Sequence, residues 1–340
     1  MTDCRQQQGD AWVKSLLGET SVVRTLAGDA SFRRYFRVLR NPEHFVLMDA
    51  PPGKEDITSF LKVRAWLADA GLRVPELIHA DREQGFLLLE DFGDRTWALH
   101  LITGDQQSVT PDNLFKDALS QLTALQGSDP PAWLPVFDIA RMRRECDLYL
   151  EWYLPLVAGY VPGDSERDAF YQAVLPLLRE IEALPYVPVH LDYHSRNLML
   201  PGDALPLGVI DFQDAVSGPV TYDLASLLYD CYQYYPEESR RLWSRRFYDS
   251  LASGQRGMFD GFESWHRAVR LTAMQRHIKA TGIFSRLAHR DGKRQFLDEI
   301  PLTRLHLLEE LDYLGLKRQD FPLLFVAPEQ ANSEMGYVPD

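Results

Sequence analysis

Cysteine is scarce in this 340-residue chain: Cys4, Cys146 and Cys231 are far apart, odd in number and in no C-x-x-C pair. That spacing argues against a disulfide framework or a thiolate zinc site, and reduced thiols in a cytoplasmic protein are expected. Long apolar runs are missing as well. No stretch approaches the roughly 18 uninterrupted apolar residues of a membrane span. The first residues, with Asp3, Arg5 and Gln6-Gln7-Gln8, lack the apolar core of a secretory signal. Positive charge is in deficit, with 36 Lys and Arg against 49 Asp and Glu and a formal net charge of −13. A chain that acidic is repelled by phosphate backbones, so neither nucleic acid nor an anionic membrane is an expected partner. No internal repeat and no low-complexity tract is found.

What is present is the composition of an ordinary globular protein, 45% hydrophobic and 25% charged, long enough for two lobes. A short helix over 11–18 precedes three β-rich runs, 21–26, 33–39 and 45–48. Helical periodicity through Ile57, Phe60, Leu61, Val63, Leu67 and Ala68 predicts a helix over 55–70, ended by Gly71. Strands over 77–80 and 85–89 complete a β-β-β-α-β-β order. Beyond about Gly93 the chain turns helical. Thr110-Pro111 opens a helix to about Gln126. A second spans 138–153, and Ser165-Glu166-Arg167-Asp168 reads as a capping box for a third, toward Glu182. Residues 187–214 are the only β-like interruption before helices return from about Thr221 to Leu316. The expected class is α+β: a small β-rich lobe over 1–93, a helical lobe over 94–340 and a cleft between them.

The interruption carries the chemistry. His190-Leu191-Asp192-Tyr193-His194-Ser195-Arg196-Asn197 is followed by Leu207-Gly208-Val209-Ile210-Asp211-Phe212, a strand with a carboxylate at its exposed end. Phosphoryl transfer from a nucleotide needs one carboxylate to take the proton of the attacking hydroxyl. It also needs an Asn and an Asp to hold Mg²⁺ on the phosphates. Asp192 is the candidate base, and Asn197 and Asp211 are the candidate metal ligands. For any one of these residues the plain alternative is a loop carboxylate capping a turn. His190 is read as structural. His190 and His194 at i, i+4 also match a helical zinc pair, but Pro188 and Val189 argue against a helix there.

His190-x-Asp192-x-His194-x-x-Asn197, then Ile210-Asp211-Phe212, then Tyr222-Asp223-Leu224-Ala225, resembles the aminoglycoside phosphotransferase family. The resemblance covers nearly the whole chain. It implies the protein-kinase-like two-lobed fold, ATP and Mg²⁺ as cofactors, Asp192 as base, Asn197 and Asp211 as metal ligands, and Asp223 as a carboxylate bracing the catalytic loop. Leu87-Leu88-Leu89-Glu90-Asp91-Phe92-Gly93 looks like the lobe connector. There Glu90 and Phe92 would meet adenine through main-chain groups, with side chains nearly free. A strand followed by a turn is the alternative. Gly28, Ala30 and Ser31 would form the phosphate-covering loop, with a plain hairpin turn as the equal alternative.

One position departs from the family. Its third strand carries a phosphate-neutralising Lys, and this chain has Met48 there, leaving Glu55 on the first helix without a Lys to pair. Arg33 or Arg34 is the expected replacement. An inactive nucleotide-binding module is the other possibility, and joint retention of Asp192, Asn197 and Asp211 argues against it.

The acceptor is expected beside Asp192. Tyr149, Trp152, Tyr153, Tyr222 and Tyr229 are aromatic candidates, most of them core residues. Gln213 and Asp214 are placed to reach sugar hydroxyls, and Arg276 to meet a carboxylate. Lys279 is expected to face solvent. Few carboxylates beyond Asp214 accompany the motif, which disfavours a cationic aminoglycoside. The stretch from Asp29 to Val38, with Val46 to Pro52, resembles the cell-wall-recycling amino-sugar kinases of Gram-negative bacteria. That resemblance implies phosphorylation at the anomeric hydroxyl of N-acetylmuramate and N-acetylglucosamine, and a monomer is expected. An aminoglycoside or other small alcohol is the alternative acceptor.

Overall fold

The computed structural model describes residues 4–26, 32–103 and 109–328, and the chain divides into two compact units. The first comprises residues 1–124 and 196–214; the second comprises 125–195 and 215–340. The candidate phosphate-covering residues Gly28, Ala30 and Ser31 lie outside the described residues.

In the first unit, helix α1 (Cys4–Leu17) precedes strands β1 (Val22–Thr25), β2 (Arg34–Arg40) and β3 (Glu43–Asp49). Helix α2 (Ile57–Asp69), β4 (Leu77–Asp81) and β5 (Phe86–Glu90) follow. The strands form one antiparallel sheet in the order β1-β2-β3-β5-β4. Alternation in β2 buries Phe36 and Val38 on one face, where they join Leu47, Phe86 and Leu88 and receive Val13 of α1. Helix α2 starts where Asp56 accepts the Thr58 N–H at 2.8 Å, and it buries Ile57, Phe60, Leu61, Val63 and Leu67. Helices α3 (Trp97–Thr103) and α4 (Pro111–Gln126) complete this part. The α3 turn was not expected. It is short, and its Trp97 is buried edge-on against Phe115.

In the second unit, α5 (Ile139–Leu148) runs into a π-helical turn over Tyr149–Tyr153 rather than continuing as one α-helix to 153. A close approach accompanies that widening. A Cβ on Gly282 would lie 2.4 Å from the Leu148 carbonyl carbon, so only glycine lets the two backbones meet. Helix α6 (Asp164–Glu182) begins two residues earlier than the expected box: Gly163 is the N-cap, and its N–H donates to Glu166 at 2.9 Å. Strand Tyr186–Val189 pairs antiparallel with Val216–Pro219. Helices α7 (Tyr222–Leu228), α8 (Glu237–Ser250), α9 (Phe262–His289) and α10 (Ile300–Tyr313) follow. Twenty of the 28 residues of α9 are buried, so its polar side chains sit inside the unit. Among the described residues no helix is long and apolar enough to cross a membrane.

Candidate active site

The first unit holds Asn197 and Asp211 at the end of a two-stranded ladder in which Leu198 pairs with Val209 and Met199 with Gly208. The Ile210 N–H donates to the Asn197 carbonyl at 3.1 Å, which sets the two residues abreast. Asp211 has φ 63°, a left-handed conformation that a non-glycine residue adopts only when its surroundings enforce it. Here α4 and the chain after α2 do so. Asp117 and Gln121 hold the Leu207 backbone at both ends, at 2.9 Å each, and the Val209 N–H donates to the Arg73 carbonyl at 2.7 Å. Gly208 is needed for close approach, since a Cβ there would lie 2.4 Å from the Phe92 ring.

The Asp211 carboxylate accepts from Gln213 at 2.8 Å and from the Asn197 amide at 3.4 Å. This donor set fits Mg²⁺: a hard cation takes a carboxylate and an amide oxygen and completes its octahedron with water and phosphate oxygens. A half-turn of the Asn197 amide would present its oxygen instead of its nitrogen. Among the described residues no group of three or more His, Cys, Asp or Glu could hold a metal ion.

A cavity of about 470 Å³ adjoins the pair, lined among others by Val46, Phe60, Leu89, Phe92, Asn197 and Asp211. The connector-like segment forms one side of it, and its side chains are engaged rather than free. Glu90 forms a two-point ion pair with Arg73 at 2.5 and 2.6 Å. The Arg37 guanidinium reaches Asp91 and Asp94. Phe92 is buried, with the Arg73 guanidinium 4.7 Å from its ring centre. Those ties rigidify the backbone that faces the cavity. The Arg73 partner holds Glu90, and the Arg37 partner holds Asp94, below the usual carboxylate range.

Met48 is fully buried. Of its two candidate replacements, Arg34 is directed at the buried Asp49, at 2.6 Å, beside Arg5 of α1 on the other carboxylate oxygen at 2.8 Å. Arg33 lies 3.6 Å from Glu55, the carboxylate expected to lack a partner.

In the second unit, the Asp192 loop hangs on two buried carboxylates. Asp223 of α7 accepts the N–H of His190 at 2.7 Å and that of Leu191 at 3.0 Å. Asp230 accepts those of Ser195 and Tyr232, both at 2.9 Å. His190 is fully buried, and its Nδ1 accepts the Asp192 N–H at 3.3 Å. Asp230 carries no local signal in the sequence, because nothing nearby ties it to a loop 35 residues away.

Lys279 does not face solvent as expected. It is largely buried, 3.3 Å from the Tyr222 hydroxyl and 3.5 Å from Glu145. Its neighbour Arg276 is buried with its guanidinium 5.4 Å from the Tyr222 ring centre. Burial pushes the Asp192 carboxyl upward, but Lys279, His194, Arg276 and His190 together outweigh it and hold the group below the usual aspartate range. Burial opposes the charge on Lys279, yet Glu145, Tyr222 and Asp192 keep it firmly protonated. Tyr149, Tyr153 and Tyr229 are core residues, and Trp152 is half-buried on the π-helical turn.

Residues 22–260 match the phosphotransferase enzyme family. An N-acetylmuramate/N-acetylglucosamine kinase of Pseudomonas aeruginosa is 40% identical over 311 residues, covering 88% of this chain and 90% of that protein. The kinase of the same name from Neisseria meningitidis serogroup B is 36% identical, covering 87% and 88%. Among solved structures, an ADP-bound aminoglycoside phosphotransferase superposes with a TM-score of 0.61 at 14% identity, over 89% of this chain and 98% of that one; it speaks to the fold alone. The chain belongs to the phosphotransferase enzyme family.

Proposed function

We propose that the protein is an ATP-dependent kinase of N-acetylmuramate and N-acetylglucosamine that transfers the γ-phosphoryl group to the anomeric hydroxyl, in peptidoglycan recycling. The observation that carries the transfer is the Asn197–Asp211 pair beside a cavity of nucleotide size. In this reading the backbone of the segment from Glu90 to Gly93 meets adenine, and Asn197 and Asp211 hold Mg²⁺. The cation, when bound, neutralises charge on the β- and γ-phosphates. Asp192 orients the sugar hydroxyl and receives its proton as the new O–P bond forms and the bond to the β-phosphate oxygen breaks, leaving ADP and the sugar 1-phosphate.

Two features support this acceptor class. Relatives at 36 and 40% identity are named for it. The surroundings of Asp192 are also cationic, with Lys279 and Arg276 as buried neighbours, which suits a neutral or anionic sugar and repels a polycationic antibiotic. An anomeric hydroxyl is more acidic than an ordinary alcohol, so a base held below the usual carboxylate range suffices. Arg276 has Nε and Nη1 buried without a hydrogen-bond partner among the described residues, and it is the proposed recipient of the muramate lactyl carboxylate.

The test is ADP release with ATP and Mg²⁺ across N-acetylmuramate, N-acetylglucosamine, their methyl glycosides, kanamycin and choline. Turnover on the free N-acetylated sugars that vanishes when C1 is blocked is the expected result. Turnover on a methyl glycoside would move the reaction to another hydroxyl, and turnover on kanamycin or choline alone would overturn the acceptor.

A further inference from the structure

The family's third-strand lysine is absent, and the reading above leaves the ATP phosphates without a named side-chain cation. We propose that Arg33, braced by Glu55, supplies that cation from the strand-entry position before β2. The inference rests on the nucleotide reading above and adds the residue that would recognise the triphosphate.

Three observations carry it, all within the first unit. First, β2 and β3 are paired so that Tyr35 stands opposite Met48. Arg33 therefore enters the sheet two residues before the residue facing the vacated lysine position. A cation lost from one strand is within a side chain's reach of being restored from its neighbour, since an arginine stem extends across the roughly 5 Å between strands. Second, Arg33 and Met48 both line a cavity of about 240 Å³, together with Glu55, Phe60, Gln213 and Asp214. Phe60 and Gln213 also line the larger cavity, so the two spaces share walls. Gln213 donates directly to Asp211. Arg33 thus borders the continuation of the proposed nucleotide cavity, past the candidate metal ligand, where a phosphate chain would run. Third, the Arg33 guanidinium sits 3.6 Å from Glu55, which also accepts the Phe32 N–H at 3.2 Å. A lysine–glutamate ion pair at this place in kinases aligns the cation for the phosphates. Here the carboxylate stays just ahead of α2 and the cation has changed strands.

The same geometry sets Arg34 apart. Its guanidinium closes on Asp49 at 2.6 and 3.1 Å, with Arg5 completing the carboxylate, so it anchors α1 to the sheet. The planar fork of an arginine also suits two phosphate oxygens better than a point charge, so Arg33→Lys should restore binding only in part.

The experiment is calorimetric binding of ATP, ADP and adenosine without acceptor, on the parent, Arg33→Ala, Arg33→Lys and Glu55→Gln. Thermal melts exclude unfolded variants. Arg33→Ala is expected to weaken ATP by about tenfold or more, as loss of a charge-assisted contact implies, while adenosine binding is unchanged. Glu55→Gln should weaken ATP less, and Arg33→Lys should fall between parent and Ala. ATP affinity unchanged in Arg33→Ala overturns the proposal, and so does equal weakening of ATP and adenosine. Because no sugar is present, these outcomes stand whatever acceptor the enzyme uses. Failure of the parent to bind any nucleotide would instead overturn the reading beneath it.

Discussion

The Asp223 carboxylate and the Leu191 backbone form the brace of the Asp192 loop: Leu191 is held at φ 84° while its N–H donates to Asp223 at 3.0 Å. A leucine in the left-handed region costs about 1–2 kcal/mol, so the turn stands only because buried bonds enforce it. Asp223→Ala removes the acceptor for two buried N–H groups, His190 and Leu191. Leaving them unsatisfied should cost about 1–3 kcal/mol each at most, seen as a lowered Tm. Displacement of Asp192 should lower kcat by about 10²-fold with a small change in KM for ATP. Steady-state kinetics with a melt of the same sample check both. A variant that loses stability but keeps kcat would remove the loop from the catalytic argument.

Asp192→Asn should lower kcat by about 10²–10⁴-fold, the range for loss of a general base, with ATP affinity retained. The pH profile follows from the direction of its shift. Because neighbouring Lys279 and Arg276 outweigh burial and hold the carboxyl below its ordinary value, it stays ionised as pH falls through the usual aspartate range. The acid limb of kcat/KM in the parent should therefore lie below that range. Lys279→Met should move it to higher pH, and Lys279→Arg should restore it. A limb that does not move in Lys279→Met would show that the titrating group is not Asp192.

Much of the first unit was legible along the chain because period-two alternation and local turns generate an antiparallel meander. Strands β1 to β5 and helix α2 lie within about two residues of their expected bounds, and a small sheet beside helices is the expected α+β class. Other features resisted reading for specific reasons. Val216–Pro219 is short, and its partner strand is some thirty residues away, so no local pattern announces it. A charge on a helix normally means an exposed face, which is why Lys279 is expected in solvent from the sequence alone. Helix α9 is buried on nearly all sides, so that rule fails and polar residues become internal partners. The ties of the connector side chains are not legible locally, because ion pairs such as Arg37–Asp91 and Arg73–Glu90 join residues 54 and 17 positions apart. Among the candidate residues, short spacing makes Asp192, Asn197 and Asp211 conspicuous, while Asp117, Gln121 and Asp230, which hold the backbone near them within each unit, come from distant helices and turns.

His277 of α9 and Glu310 of α10 form a buried pair at 2.7 Å, and the other His277 nitrogen meets the Tyr229 carbonyl at 2.8 Å. Burial favours the neutral pair, lowering His277 to about 3 and raising Glu310 to about 8. The signs oppose. Between about 4.5 and 6.5 the unfolded chain carries one proton on the histidine and the folded chain one on the glutamate, so the pair gives no pH slope. From about 6.5 to 8 only the folded state keeps its proton, and stability falls as pH rises, by at most about 1.4 kcal/mol per pH unit. Glu310→Gln replaces the proton donor with an amide that can also donate to Nδ1. It should keep Tm near parent at pH 6 and flatten the decline from pH 6.5 to 8. Melts of both proteins across that range test this, and identical slopes would show that the pair does not titrate there.

Arg276 offers a test of the acceptor that a general loss of structure cannot imitate. Its guanidinium is buried against Tyr222, and its Nε and Nη1, without a hydrogen-bond partner among the described residues, are the donors proposed for the lactyl carboxylate. N-acetylglucosamine lacks that carboxylate and shares the rest of the sugar. Arg276→Met keeps the apolar stem against the ring and removes only the charge and the donors. A charge-assisted hydrogen bond contributes about 1.5–3 kcal/mol, so kcat/KM for N-acetylmuramate should fall about 10- to 100-fold relative to that for N-acetylglucosamine. Arg276→Lys retains the charge without the fork and should recover part of the difference. The decisive quantity is the ratio of the two kcat/KM values, because a disturbed Asp192 loop lowers both together and leaves it unchanged. A constant ratio would assign Arg276 to the electrostatics of Asp192 and leave the lactyl group to another residue.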